Sequence, residues 1–146
     1  MKRISVSIFT ILLLANCTGT RPNTIGVNSG KLTNCPNTPN CVSSQAEIND
    51  KEHYRSHIIY KKPLNIAKAT LKEKINSLPR TKIISEDENY IYAEFTSKIM
   101  RYVDDVEFYF NDKTKELHFR SASRLGKSDF GVNRKRIETI LEGLDI

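Results

Sequence analysis

A basic segment in the last third of the chain holds the side chains best suited to bind an anion. Between Arg120 and Arg136, six Lys or Arg residues stand against one acid, Asp129, which gives a local net charge of +5. Hydroxyl groups lie between the cations, and Gly126 and Gly131 allow a ligand to approach the backbone closely. The predicted anion site consists of Arg120, Ser121, Ser123, Arg124, Ser128 and Arg134.

The same segment predicts the end of a strand, a turn and the start of a helix near Ser128 or Asp129, either of which can cap free amide groups. The first amide groups of a helix are unpaired and carry a partial positive charge. A carboxylate or phosphate, from an anionic lipid or a cell-wall component, is therefore the expected ligand class.

An acidic segment precedes the basic one. Residues 86–116 hold nine acids against four Lys or Arg residues. Neighbouring antiparallel strands would set the two segments side by side, with Glu107 near Arg120 if a hairpin closes around 111–116. A structural ion-pair network is the alternative interpretation to an anion site, and exposed pairs in it would contribute about 0–1 kcal/mol each. The expected ion-pair partners are Asp104, Asp105, Glu107 and Asp129.

Catalysis is a third interpretation of the acids. Asp104 and Asp105 with Glu107 offer paired carboxylates for general acid–base chemistry in a small periplasmic hydrolase or transferase. Adjacent residues of a strand point to opposite faces, however, which separates Asp104 from Asp105. The three histidines lack a metal-ligand spacing and are expected at the surface or at sheet edges. We therefore expect no metal and no cofactor, and a protein that is not an enzyme.

The amino-terminal sequence predicts an export signal. Two basic residues precede an uncharged run at 4–15, which is shorter than the about 20 residues needed to span a bilayer. The run ends in Leu14-Ala15-Asn16-Cys17, which resembles a bacterial lipobox and implies diacylglycerol on Cys17 after cleavage of a signal peptide at 1–16. An ordinary secretory signal and an uncleaved anchor are the alternatives.

Lipidation would place the protein in the bacterial cell envelope, held to a membrane by its acyl chains. Thr18 follows the cysteine where an inner-membrane retention signal would have Asp, so we expect the outer membrane, facing the periplasm. Cleavage reduces the net charge from +6 to +4, and an exported, nearly balanced chain is not expected to bind nucleic acid. Residues 17–31, polar and without apolar periodicity, are expected to form a flexible tether.

Two further cysteines, Cys35 and Cys41, flank a short segment that contains two prolines. An exported chain meets oxidising conditions, so a disulfide between them is the first interpretation. Free thiols and a metal or redox site are the alternatives, although zinc would need two more ligands.

Three blocks carry a resemblance to a known family: residues 39–44 (Pro-Asn-Cys-Val-Ser-Ser), residues 101–108 (Arg-Tyr-Val-Asp-Asp-Val-Glu-Phe), and residues 120–124 (Arg-Ser-Ala-Ser-Arg) continuing to Asn-Arg-Lys-Arg-Ile at 133–137. In this order they resemble a bacterial and plastid family known only as domain of unknown function 1499. The resemblance covers about residues 32–144. It implies no established activity.

Periodicity predicts the elements that position these residues. An apolar stripe from Leu64 to Leu78 indicates a helix, and alternating residues indicate about four strands between 82 and 124. Residues 57–60 indicate a short strand or an extended lead-in, and a last helix is predicted within the basic segment. The predicted fold is one α+β domain, 32–146, in which an antiparallel sheet of about four strands is flanked by an N-terminal and a C-terminal helix.

Overall fold

A computed structural model describes residues 18–146, so the predicted signal peptide and Cys17 lie outside the described residues. The fold is α+β. Its elements in chain order are β1 (Cys41–Ser43), β2 (Ile58–Ile59), α1 (Leu64–Asn76), β3 (Thr81–Asp87), β4 (Tyr90–Thr96), β5 (Val103–Asn111), β6 (Glu116–Ser123) and α2 (Val132–Leu141).

The strands form one antiparallel sheet in the order β1-β6-β5-β4-β3. β1 pairs with the Arg120–Ala122 part of β6, and β2 pairs with Glu116 and Leu117 at the other end of the same strand. The expected count of about four strands was too low, because the sheet has six. β1 was missed because three residues are too short to show a period-two pattern in the sequence. β2 lies within residues 57–60, where the sequence indicated a short strand or an extended lead-in.

Both helices pack on one face of the sheet. The buried side chains of α1 and α2 belong to the same apolar cluster as the alternate residues of β4, β5 and β6. Burial of each large apolar side chain contributes about 1.5–3 kcal/mol, so this layer supplies most of the hydrophobic stabilisation. Its central members are Leu71, Ile75, Ile91, Phe108, Phe119, Ile137 and Ile140.

Residues 21–34, here called the N-terminal strap, cross the opposite face of the sheet. The backbone N–H of Gly26 donates to Glu107 at 2.8 Å, and Leu32 is buried against Tyr90 and Tyr92. Gln45 fixes the strap from the side, since its Oε1 accepts from the N–H of Leu32 at 2.8 Å. The sequence predicted a flexible tether over residues 17–31. In the structure, the described part of this segment instead packs on the polar face of the sheet and covers it.

Cys35 and Cys41 form a disulfide, with an S–S distance of 2.03 Å, as the first interpretation of their spacing predicted. The bond attaches the loop before β1 to the edge of the sheet beside β6. Asn40, next to Cys41, donates from its side chain to the carbonyl of Gly126 at 2.8 Å. Asn40 thus joins the disulfide-bonded segment to the loop that leads from β6 to α2.

Candidate functional site

The sheet face beneath the N-terminal strap is lined with charged and tyrosine side chains. Strand register places Tyr92, Glu107 and Arg120 in one row across β4, β5 and β6. The carboxylate of Glu107 belongs to a residue with 0% exposure, and Asp105 and Arg120 are also buried. Burying a charge is costly unless it is paired, so the partners of these groups decide what the face can do.

Three groups surround the carboxylate of Glu107. Its Oε1 accepts from the Tyr90 hydroxyl at 2.8 Å as well as from Gly26, and its Oε2 lies 3.5 Å from Nη1 of Arg120. Burial raises the pKa of Glu107, because these partners offset only part of the cost of desolvating the carboxylate. The Nε of Arg120 is buried without a hydrogen-bond partner among residues 18–146, so the pairing of this cation is incomplete.

Arg124 is more fully engaged than Arg120. Its Nε and Nη2 form a two-pronged contact with the Asp105 carboxylate, at 2.9 and 2.6 Å, and Nη2 also contacts Glu94 and the Tyr92 hydroxyl. The hydrogen bonds to Asp105 raise the pKa of Arg124 further above its usual value. Arg21 of the strap donates to the same Glu94 carboxylate. Arg124 and Arg21 are therefore paired with acids of the fold, so neither has a free positive charge to offer a ligand.

A second polar cluster lies on the helix face, centred on Asn133. This residue is 1% exposed, and its Oδ1 accepts from the Ser121 hydroxyl at 2.5 Å. Its side-chain amide donates to the carbonyl of Asn40 at 3.0 Å and to the Ser123 hydroxyl at 2.9 Å. A buried amide with these bonds joins the start of α2 to both β6 and the segment before β1.

The residues around Asn133 complete this cluster. The helix starts later than the predicted start near Ser128 or Asp129, since α2 begins at Val132 and Gly131 is its N-cap residue. Asp129 still serves the free amide groups, because it accepts from the backbone N–H of Asn133 at 2.7 Å and of Gly131 at 3.0 Å. Arg136, one turn later, donates to Asp104 at 2.5 Å. The cluster thus neutralises the acid that lies on the helix face of β5.

The predicted anion site is not assembled in the structure. Alternation along β6 places Arg120 and Arg124 under the strap and Ser121 and Ser123 on the helix face. The basic residues and the hydroxyls of this strand are therefore separated by the thickness of the sheet, and the expectation that they share one site was wrong.

The two remaining residues of the predicted anion site, Ser128 and Arg134, form hydrogen bonds with other parts of the fold. Ser128 lies in the exposed β6–α2 loop, where its Oγ accepts from the N–H of Phe130. Arg134 donates to backbone carbonyls of Lys51, Glu52 and Tyr54, at 2.9 to 3.3 Å. Its charge holds the segment between β1 and β2 against α2.

The acids proposed for catalysis are divided in the same way. Asp104 faces α2, whereas Asp105 and Glu107 face the strap, as strand alternation predicted. Each lies beside an arginine: Asp104 with Arg136, Asp105 with Arg124 and Glu107 with Arg120. The predicted register of Glu107 opposite Arg120 is confirmed.

One arrangement that the sequence did not indicate brings Ser44 beside His118 and Glu116. The Ser44 Oγ lies 3.3 Å from Nδ1 of His118, whose Nε2 lies 3.3 Å from Glu116. The expectation that the histidines lie at the surface or at sheet edges was wrong for His53 and His118, which are both buried. Burial lowers the pKa of the His118 ring. The Ser44 Oγ also accepts from the N–H of Phe119 at 2.9 Å, so it serves the backbone rather than acting as an exposed nucleophile.

An open cavity of about 630 Å³ lies at the end of the sheet where β6 finishes. It separates the β4–β5 loop, residues 97–102, from the β6–α2 loop, residues 124–131, and we call it the loop groove. Its rim is apolar and its floor is polar. The rim includes Tyr102, Leu125, Phe130 and Val132, and the floor includes Asp104 and Ser123.

Residues 18–146 contain no group of three or more His, Cys, Asp or Glu side chains that could hold a metal ion. The same part of the chain has no helix long and apolar enough to cross a bilayer.

The sequence profile of a family described as protein of unknown function (DUF1499) matches residues 31–144. The chain belongs to the DUF1499 family. In this DUF1499 domain, the three blocks that carried the resemblance meet in the fold: the first holds Asn40 and Ser44, the second the acids of β5, and the third Arg120 and Asn133. No curated protein matches the chain.

Proposed function

We propose that this DUF1499 protein is an envelope-anchored lipoprotein whose folded domain is a non-catalytic binding or interaction module. Its anchor would be the acylated Cys17, and its location the outer membrane, facing the periplasm. Support for export comes from the signal-like run before Cys17 and from the Cys35–Cys41 disulfide, a bond typical of oxidising compartments.

The observation that carries the non-catalytic proposal is the pairing of the buried acids. A general acid or base must reach a substrate, whereas Glu107 is fully buried and Asp105 is held by both prongs of Arg124. Asp104, the third acid of the hydrolase or transferase alternative, is on the other side of the sheet. This geometry favours a structural role for all three carboxylates.

The loop groove is the surface we propose for binding. It is accessible, and its apolar rim over polar groups is typical of ligand sites. An anionic lipid or a cell-wall component stays the proposed partner class. The cations that would meet it are Lys98, Arg101 and Lys127, which are exposed beside the groove, rather than Arg120 and Arg124.

Anchoring is tested by radiolabelled palmitate and membrane fractionation of the wild type and of Cys17→Ala. We expect label and outer-membrane recovery in the wild type and neither in the variant. Equal labelling of the two proteins would refute the lipid anchor.

Binding is tested by mass spectrometry of small molecules extracted from the purified protein. We expect an extracted ligand to be lost in Leu125→Lys, which places a charge on the groove rim, and kept in Ile59→Lys at the opposite end of β6. A ligand kept by both variants would remove the groove from the proposal.

A further inference from the structure

Two loops at one end of the sheet expose an unusual amount of apolar surface. The β4–β5 loop and the β6–α2 loop, with the first residue of α2, contribute six large apolar side chains that are more than a third exposed: Ile99, Met100, Tyr102, Leu125, Phe130 and Val132. Contiguous exposed apolar surface of this kind marks an interaction site in soluble domains.

Phe130 is the extreme member of this set. Its side chain is 98% exposed, and its backbone has a φ of 54°, in the left-handed region that bulky residues avoid. An aromatic ring that is both unburied and backbone-strained gains nothing for the isolated fold. Strain of this sort is common at functional positions, so the exposed ring is a candidate for contact with something outside the domain.

The start of the described chain lies next to the same loops. A Cβ built on Gly19 would lie 3.1 Å from Cγ of Leu125, so the chain passes directly against the rim of the loop groove. The described residues therefore begin on the side of the domain that carries the exposed loops. In the sequence, the proposed acylation site Cys17 comes two positions before Gly19.

The charges around the patch match an anionic bilayer. Lys98, Arg101 and Lys127 are exposed in the same two loops, and none forms an ion pair within residues 18–146. The nearby acids are already satisfied, since Asp104 pairs with Arg136 and Asp129 caps α2. Apolar side chains surrounded by unpaired cations are typical of surfaces that enter the interface of an anionic membrane.

We propose that these two loops form a membrane-docking surface. The apolar tips enter the headgroup and upper acyl region of the bilayer that holds the amino-terminal end of the chain, and the three cations contact anionic phospholipid headgroups. The domain is then fixed in one orientation on the membrane instead of turning freely about its anchor. This inference rests on the proposed anchoring for the presence of a bilayer, but its test does not depend on acylation.

The chain contains no tryptophan, so a single Trp reports on one position. The reporter is Phe130→Trp and the matched control is Ile59→Trp, because Ile59 is 54% exposed on β2, which pairs with the opposite end of β6. The purified full chain is reconstituted into vesicles of phosphatidylcholine with phosphatidylglycerol that carry brominated acyl chains. We expect a blue shift and at least about twofold quenching for Phe130→Trp and little change for Ile59→Trp.

A charge variant separates apolar from electrostatic contact. Lys98→Gln, Arg101→Gln and Lys127→Gln combined in the reporter chain should reduce quenching in the phosphatidylglycerol vesicles and leave it unchanged in phosphatidylcholine alone. Equal quenching of Phe130→Trp and Ile59→Trp would overturn the proposal. So would a blue shift that appears without vesicles and grows with protein concentration, since it would assign the surface to a second copy of the chain.

The anchoring and docking proposals fail separately. Palmitate label on Cys17 without quenching at residue 130 would leave the anchor and remove the docking surface. Quenching without label would do the reverse.

Discussion

Arg120 is the least satisfied buried charge in the described part of the chain. It is buried, its nearest carboxylate oxygen is 3.5 Å away on Glu107, and its Nε has no hydrogen-bond partner among residues 18–146. The pair nevertheless matters to the fold, because removal of either partner leaves the other charge buried alone. The contribution of this pair to stability is therefore better tested by replacing Arg120 than by counting the hydrogen bonds that Arg120 makes.

Replacing Arg120 with Met should lower the free energy of unfolding by about 3–5 kcal/mol at pH 7. Burial already raises the pKa of Glu107, and loss of the cation will raise it more. A group with a raised folded pKa stabilises the fold fully below its unfolded pKa and loses that contribution as pH rises through the folded pKa. The variant should therefore lose less stability near pH 5 than at pH 7, as measured by urea unfolding.

The double variant Arg120→Met with Glu107→Gln is the control. Gln keeps an acceptor for Gly26 and Tyr90 and carries no charge, so the loss should be smaller than for Arg120→Met alone. An equal loss at both pH values, together with additive effects in the double variant, would contradict the pairing.

Asn133 provides the second residue-scale prediction. Asn133→Leu keeps the size of the side chain but leaves the hydroxyls of Ser121 and Ser123 without their shared partner. Each buried polar group left unpaired costs about 1–3 kcal/mol, so we expect a loss of about 3 kcal/mol in chemical denaturation. Thr139→Ala, on the exposed side of α2, should change stability by less than about 0.5 kcal/mol. A loss below about 1 kcal/mol for Asn133→Leu would show that this amide does not join α2 to β6.

At the scale of elements, the N-terminal strap is the part of the fold that departs most from the sequence prediction. It has no regular secondary structure over most of its length, yet it seals charged groups that would otherwise meet water. One of its attachments is the backbone amide of Gly26, and the exchange of that amide can be followed directly.

We expect the Gly26 amide to exchange with deuterium at least about tenfold more slowly than the Val27 amide, measured residue by residue by NMR. The reason is that Gly26 donates to the buried carboxylate of Glu107, whereas Val27 is exposed. In Arg120→Met, which disturbs that carboxylate, the protection of Gly26 should fall. Equal exchange of the two amides in the wild type would restore the interpretation of this segment as a flexible tether.

The elements differ in how far the sequence could predict them. The helices and the long strands show in the spacing of Leu71, Ile91 and Ile137, because one face of each is buried over several turns or residues. The register of Glu107 opposite Arg120 followed from the hairpin around 111–116. The strap could not be predicted, since backbone amides such as those of Gly26 and Leu32 leave no pattern in the residue types.

The polar cluster centred on Asn133 could not be predicted from the sequence either, but for a different reason. An Asn in the first turn of a basic helix predicts a solvated side chain, and Asn133 is buried only because its partners converge from distant segments. The carbonyl of Asn40 that it contacts is 93 positions away in the sequence. The predicted anion site failed at the same point, because the basic and hydroxyl residues of β6 alternate between two faces.

At the scale of the whole molecule, the disulfide joins the loop before β1 to the sheet. Cys35→Ser with Cys41→Ser should lower the free energy of unfolding by about 2 kcal/mol, the value for closure of so short a loop. For a domain of this size that corresponds to a fall in melting temperature of roughly 5–10 °C. A reductant should produce a similar fall in the wild type and none in the double variant. A melting temperature that does not respond to either change would show that the bond adds no stability.

The outer edge of β3 determines whether neighbouring copies of the protein on one membrane could pair through their sheets. Within residues 18–146, β3 has a strand neighbour only in β4, but its register shifts between Ile83 and Ser85, and Lys72 of α1 forms an ion pair with Glu86. Irregular, charged borders of this kind prevent strands of adjacent molecules from pairing. For a protein confined to two dimensions by its lipid, as proposed, neighbours collide far more often than in free solution. The irregular, charged edge of β3 would let many copies share one membrane without polymerising through their sheets.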